Sequence, residues 1–133
     1  GEISFPGGLT HAEDVDLSAT ALRETQEELG LAPDDVEVLG ALEPVHTFVS
    51  AILIVPFVGV VSAAPVFTPS EAEIAEVLSY PLDELMAAET TVEWPRDGLV
   101  YRGFAYPMSD GNTIWGATAT IVNELMAIVR SRS

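Results

Sequence analysis

The chain has 133 residues and no cysteine, which fits one domain and excludes a disulfide scaffold, a cysteine-based zinc or iron–sulfur site and a cysteine nucleophile. Hydrophobic residues make up 48%, enough for a packed core. The 21 acids outnumber 5 bases, all of them arginine, and the net charge of −16 argues against nucleic acid or an anionic membrane as partner. Residues 2–5 read as the end of a strand, broken by Pro6-Gly7-Gly8, and a polar loop follows to Asp16. Asp16 is the expected N-cap of a helix from Leu17 to Leu29, and Gly30 ends it. Leu22, Thr25 and Leu29 form its core-facing stripe. Val36 to Leu42 is an expected strand, and His46 to Val61 holds one or two more. The longest apolar run, Phe48 to Val61, falls short of the ~20 residues a membrane helix needs. Pro65 to Ser70 reads as a loop and Glu76 to Tyr80 as a short strand, and Pro81 opens a helix over Leu82–Ala87 from its first position. Leu99 to Tyr106 is a strand, Ser109-Asp110-Gly111-Asn112 a turn, and Ala117 to Val129 a helix with Ile121, Leu125 and Ile128 on one face. Central strands with one helix early and one late imply an α+β or α/β sandwich. No leader segment is visible in residues 1–5 and the C-terminus carries no lipidation signal, so a cytoplasmic location is expected.

The chemistry concentrates on Arg23-Glu24-Thr25-Gln26-Glu27-Glu28-Leu29-Gly30. Glu24 with Glu28 and Glu24 with Glu27 are neighbours on a helix surface, so three carboxylates project to one side. Their mutual repulsion and the helix macrodipole both disfavour that arrangement. Arg23 can pair with Glu27 one turn on, but one guanidinium does not neutralise three acids. A divalent cation does, and carboxylate oxygens on a rigid helix suit Mg²⁺ or Mn²⁺. The Gly7-Gly8 turn lets backbone approach, so the Gly8 carbonyl is a further candidate ligand. The competing reading is a solvated acidic helix face.

The segment resembles the Nudix box, G-x5-E-x7-R-E-U-x-E-E-x-G-U with U apolar. Arg23-Glu24, Glu27-Glu28, Gly30 and Leu31 match its second half, with Thr25 at the first apolar place. The front half departs: Gly8 to Arg23 is one residue longer, and Glu13, Asp14 and Asp16 are candidates for the first acidic position. Within the family the chain is most similar to the coenzyme A diphosphatase branch. Phe5-Pro6-Gly7-Gly8, Asp14 and Asp16, and Thr20-Ala21-Leu22-Arg23-Glu24 fit its pattern, with His11 where that loop has its first acid. Glu73-Ile74-Ala75-Glu76-Val77 and Ile114-Trp115-Gly116-Ala117-Thr118-Ala119 resemble the branch as well.

The resemblance implies a Nudix-type α/β/α sandwich with a mixed sheet, a single domain over residues 1–133 whose first strands lie outside this chain. It implies metal-dependent hydrolysis of a nucleoside diphosphate derivative, coenzyme A first, yielding 3′,5′-ADP and 4′-phosphopantetheine. Alternatives are ADP-ribose, NADH or another nucleotide derivative, or a non-catalytic Nudix-fold binding or regulatory module. Glu24 and Glu28 are then the main ligands, Glu27 and the Gly8 carbonyl assist, and Arg23 orients a carboxylate. Glu73 or Glu76 is a candidate extra ligand or base, against the reading of a polar loop. Arg102 is a candidate contact for a substrate phosphate, against a surface ion pair. Trp94, Tyr101, Phe104, Tyr106 and Trp115 are candidates to stack on adenine or to fill the core. His46 reads as structural and His11 as a solvent-exposed loop residue. A homodimer is a further expectation, since an exposed sheet edge invites pairing.

Overall fold

The chain supplies both ends of its first helix locally. In the computed structural model, which describes every residue except 1, 48–50, 62, 63, 73, 75 and 133, helix α1 spans Leu17–Leu29. The Asp16 carboxylate accepts the Ala19 N–H, and Gly30 closes the helix in the left-handed conformation at φ 71°. The described residues form two compact units, Gly1–Ser4 with Leu42–Ile54 and Tyr80–Ser133, and Phe5–Ala41 with Val55–Ser79.

The second unit carries α1, a 3-10 turn at Pro33–Asp35, and strands β1 (Glu37–Ala41) and β4 (Phe57–Val60). The strands β2 (Val45–His46) and β3 (Leu53–Ile54), which intervene in sequence, belong to the first unit. β1 and β4 pair antiparallel, and the register shifts between Val38 and Gly40. Leu39 therefore opposes no residue and is left exposed, as a bulge leaves its extra residue. On α1 the fully buried side chain is Thr20, and Leu22, Thr25 and Leu29 are only half-buried.

The first unit holds α2 (Leu82–Ala88), a three-stranded antiparallel sheet of β5 (Thr90–Arg96), β6 (Leu99–Pro107) and β7 (Thr113–Ile114), and α3 (Gly116–Ser131). The expected turn at 109–112 joins β6 to β7, with the Met108 N–H donating to the Asn112 carbonyl at 2.7 Å. Ala119, Val122 and Met126 of α3 are buried with Leu85, Tyr106, Met108 and Ile114. Burying a side chain such as that of Met126 contributes about 2 kcal/mol. Across from them the Glu89 carboxylate accepts from the Tyr106 hydroxyl at 2.6 Å and from Asn123 at 3.1 Å, and pairs with Arg130 at 3.0 Å. Burial and Glu89 together push the Tyr106 hydroxyl well above its usual range. Burial raises the Glu89 carboxyl, but the bonds from Tyr106, Arg130 and Asn123 outweigh it and lower it overall.

The α+β expectation stands: three helices accompany small sheets whose described pairs are antiparallel. Several element expectations are corrected. Residues 2–5 and 76–80 form no strand, because neither finds a ladder partner among the described residues. β5 is a strand beyond those expected, and it contains Pro95. It sits at the edge of its sheet, where a missing N–H is tolerated. Pro81 is the N-cap of α2 rather than its first helical residue. On α3 the core face is Ala119, Val122 and Met126; Ile121 is buried too, but Ile128 is 43% exposed. Part of the apolar run expected to hold strands, residues 48–50, lies outside the described residues.

Candidate active site

The polar loop before α1 folds back onto the helix through Arg23. Its Nε and Nη2 donate to the two oxygens of Asp14, at 3.1 and 3.2 Å, a two-point grip that fixes the guanidinium plane. Nη2 also donates to the Leu9 carbonyl at 3.0 Å, and Nη1 to Glu24 at 3.1 Å and Glu27 at 3.3 Å. Asp14 accepts further bonds from the His11 N–H at 2.8 Å and the Thr20 hydroxyl at 2.9 Å, and its side chain is 5% exposed. The Arg23 bond first, then the His11 N–H, hold the Asp14 carboxyl far below the usual carboxylate range. Asp14 in turn raises Arg23 above its usual value.

This arrangement sorts the three acids offered for the first acidic position. Asp16 is occupied by capping, accepting from Ala19 and from the Ser18 hydroxyl at 2.8 Å each, which lowers its carboxyl. Glu13 is exposed beside His11, 3.4 Å from its Nδ1. Asp14 alone reaches the Arg23 guanidinium.

The Phe5-Pro6-Gly7-Gly8 turn lies against the helix carboxylates. The Gly7 N–H donates to Glu28 Oε2 at 3.0 Å. A Cβ on Gly8 would stand 2.5 Å from Glu24 Oε1, so a larger residue here would displace the Glu24 carboxylate. Glu24 is largely shielded, at 16% exposure, whereas Glu27 is 54% exposed and reaches only Arg23 in the bonds described. At the far end of α1, the Thr68 N–H donates to the Leu29 carbonyl at 2.7 Å and the Ser70 N–H to the Glu28 carbonyl at 2.9 Å. These bonds satisfy carbonyls that a helix end leaves unpaired. Gly30 is required here as well, since a Cβ would meet Thr68 Cβ at 2.8 Å. Sequence reasoning missed this docking, because nothing local in Thr68 or Ser70 signals it.

The donor set is all hard oxygen, which fits a cation of the Mg²⁺ class. Among the described residues no three His, Asp or Glu side chains converge as a ready-made ligand set. A cation held by Glu24, Glu28 and the Gly8 backbone would therefore complete its shell with water and substrate oxygens, as Mg²⁺ commonly does.

Glu73 lies outside the described residues, and Glu76 is exposed in the unit that carries α1. Arg102, on β6, is 80% exposed and pairs with Glu93 at 2.9 Å. His46 is exposed on β2. Trp94 stacks on Tyr101 with ring centroids 6.1 Å apart, Phe104 packs against the core, and Trp115 is 55% exposed ahead of α3. Tyr106 is fully buried with its hydroxyl on Glu89, which removes it as a platform for a base. No described helix is long and apolar enough to cross a membrane.

Comparison with known proteins agrees with the local geometry. The family model described as the NUDIX domain matches residues 1–102. A protein of Pectobacterium atrosepticum described as an uncharacterized Nudix hydrolase NudL is 35% identical over 133 residues, covering 99% of this chain and 69% of the relative. Proteins of the same description from Photorhabdus laumondii and Citrobacter koseri are 33% and 36% identical, with 94% of this chain and 67% and 65% of the relatives covered. The chain thus spans about two-thirds of the length of these curated relatives.

Proposed function

The chain belongs to the Nudix hydrolase family, and from that premise we propose that it cleaves the diphosphate of coenzyme A, dependent on Mg²⁺ or Mn²⁺, to give 3′,5′-ADP and 4′-phosphopantetheine. The observation that carries the chemistry is the seating of the Gly7-Gly8 turn against Glu24 and Glu28, with Arg23 locked beside them by Asp14. The choice of coenzyme A is supported by Phe5-Pro6-Gly7-Gly8, Thr20-Ala21-Leu22-Arg23-Glu24 and Ile114-Trp115-Gly116-Ala117.

Glu24 and Glu28 are the main ligands in this reading, with Glu27 and the Gly8 carbonyl as assistants. The divalent cation, when bound, supplies charge neutralisation for the diphosphate and a water of lowered pKa. Arg23 keeps Glu24 in place through its Nη1 bond, and Asp14 keeps Arg23 from swinging toward the substrate. The proton of the attacking water is assigned to the carboxylate group as a whole rather than to one of its members. Glu73 or Glu76 is proposed as an added ligand or base, and Arg102 as a contact for the 3′-phosphate. A cytoplasmic location and a homodimer complete the proposal, the latter supported by exposed Leu39 and Val60 on the β1–β4 pair and checked by light scattering.

The test is incubation of the full-length protein with coenzyme A and Mn²⁺. Release of 4′-phosphopantetheine is expected. Turnover of ADP-ribose or NADH without turnover of coenzyme A overturns the substrate. Binding without turnover of any of them makes the protein a binding module.

A further inference from the structure

The sequence contains two Asp-Gly pairs, Asp97-Gly98 and Asp110-Gly111, both in turns that join neighbouring strands. An Asp-Gly pair can react with itself. The glycine amide nitrogen attacks the aspartate Cγ, and glycine suits this because no side chain blocks the approach. The two turns treat the reacting groups in opposite ways.

At Asp110-Gly111 both groups are occupied. The Asp110 carboxylate accepts from the Asn112 N–H at 2.9 Å and from the Tyr80 hydroxyl at 2.8 Å. The Gly111 N–H donates to the Met108 carbonyl at 3.1 Å. At Asp97-Gly98 neither group is occupied. These two residues alone connect the Arg96–Leu99 pair of the β5–β6 hairpin, with φ of 55° and 78°. That is the geometry of a two-residue primed turn, whose central amides lie outside the ladder. Both residues are exposed, and among the described residues neither the Asp97 carboxylate nor the Gly98 N–H has a hydrogen-bond partner. Asp97 is also the one non-glycine residue at positive φ among those described, as the first position of such a turn requires.

We infer that Asp97-Gly98 is a self-modification site, at which the folded protein forms a succinimide and then an isoaspartyl linkage, while Asp110-Gly111 is protected. In the first step the Gly98 nitrogen forms a bond to Asp97 Cγ. The Cγ–O bond breaks, and one carboxyl oxygen leaves as water with the amide proton and a proton from the medium. In the second step water adds to the ring. Addition at Cγ restores aspartate. Addition at the main-chain carbonyl breaks its bond to the Gly98 nitrogen and leaves the chain running through Cβ and Cγ, with a free α-carboxylate. No oxidant or cofactor enters, and the water lost is regained. The product has one extra carbon in the main chain, which the two-residue turn does not accommodate, so the Arg96–Leu99 end of the hairpin opens. The new α-carboxylate is a substrate for a methyltransferase that esterifies isoaspartate from S-adenosylmethionine.

The test is ageing of the full-length folded protein in warm neutral heavy-oxygen water, followed by peptide mapping and methylation with an isoaspartyl methyltransferase. The expected result is heavy oxygen and methyl label at Asp97, accumulating about tenfold or more faster than at Asp110, where two hydrogen bonds to the carboxylate and one from the Gly111 N–H must first be released. Asp97→Glu should abolish the label at position 97, because the larger ring closes far more slowly. Asp97→Asn should accelerate it, since ammonia leaves in place of water and asparagine tolerates positive φ. Tyr80→Phe, which frees one oxygen of Asp110, should raise the label there. Equal labelling at the two sites, or label at Asp97 only after denaturation, would overturn the inference.

Discussion

Around α3 and β6 the chain buries carbon: among the described residues, every buried hydrophobic side chain belongs to that unit. Around α1 the one buried side chain is Thr20, and the local structure is drawn together by Arg23, Asp14, the Asp16 cap and the glycine turn. Apolar burial has no preferred direction and tolerates changes of pH and salt. Hydrogen-bonded charges are directional and hold side chains at set positions, at the cost of dependence on protonation. Stability and site geometry are therefore carried by different residues, and each can be perturbed without the other.

The largest separation should come from Glu28→Gln. It keeps an oxygen for the Gly7 N–H but removes the charge, so the proposed hydrolase should lose roughly a thousandfold in kcat/KM, about 4 kcal/mol. Its urea midpoint should stay unchanged, and an unaltered rate would remove the proposed site. Met126→Ala is the converse change. The side chain is fully buried, so about 2–5 kcal/mol of stability should be lost in urea unfolding while KM at permissive denaturant is kept.

Asp14→Asn breaks the grip on Arg23 without touching the proposed ligands directly. By comparison with other residues that orient metal ligands, it should lower kcat/KM by about 10–100-fold. Raising the metal concentration should recover part of that loss, which a mere folding defect would not do.

The pH response should also divide the two regions. Asp14 is held below its ordinary value of 3.8, so its contribution is complete above that pH and is lost as pH falls toward its folded-state value. Tyr106 is held above its ordinary value of 10.0, so its contribution is complete below that pH and is lost as pH rises toward its folded-state value. Amide exchange should show the loop before α1 opening first in acid and the β6–α3 region opening first in alkali. The smallest effect is expected for Arg102→Ala, whose exposed pair with Glu93 contributes less than about 1 kcal/mol. A stability change larger than that would mean that the pair is structural, and an unchanged KM for coenzyme A would remove Arg102 from the substrate contacts.

The two regions also differed in how openly the sequence declared them. α1 was legible to its ends because its cap, its stop and its acidic face are all encoded within a few residues. Which acid serves Arg23 was not legible. Asp14 and Asp16 are two residues apart and chemically alike, and only the path of the loop sends one to the guanidinium and the other to the helix N-terminus. β5 was not foreseen, and the cost of the Pro95 it contains depends on whether a neighbouring strand needs its missing N–H. On α3, periodicity located an apolar face but not its centre. Ile128 and Met126 are two residues apart, yet one is 43% exposed and the other fully buried.

The sequence by itself determined the family, the extent of α1, the acidic face and the need for glycine in the turn before it. These features depend on contacts between residues close along the chain, where spacing is geometry. Tertiary structure alone decided that Asp14 holds Arg23, that Thr68 and Ser70 close the far end of α1, that Tyr106 is sealed against Glu89, and that one Asp-Gly turn is tied while the other is open. Each of these joins residues separated in sequence or alike in composition, and chain spacing carries no information about which of two similar groups will be met in space.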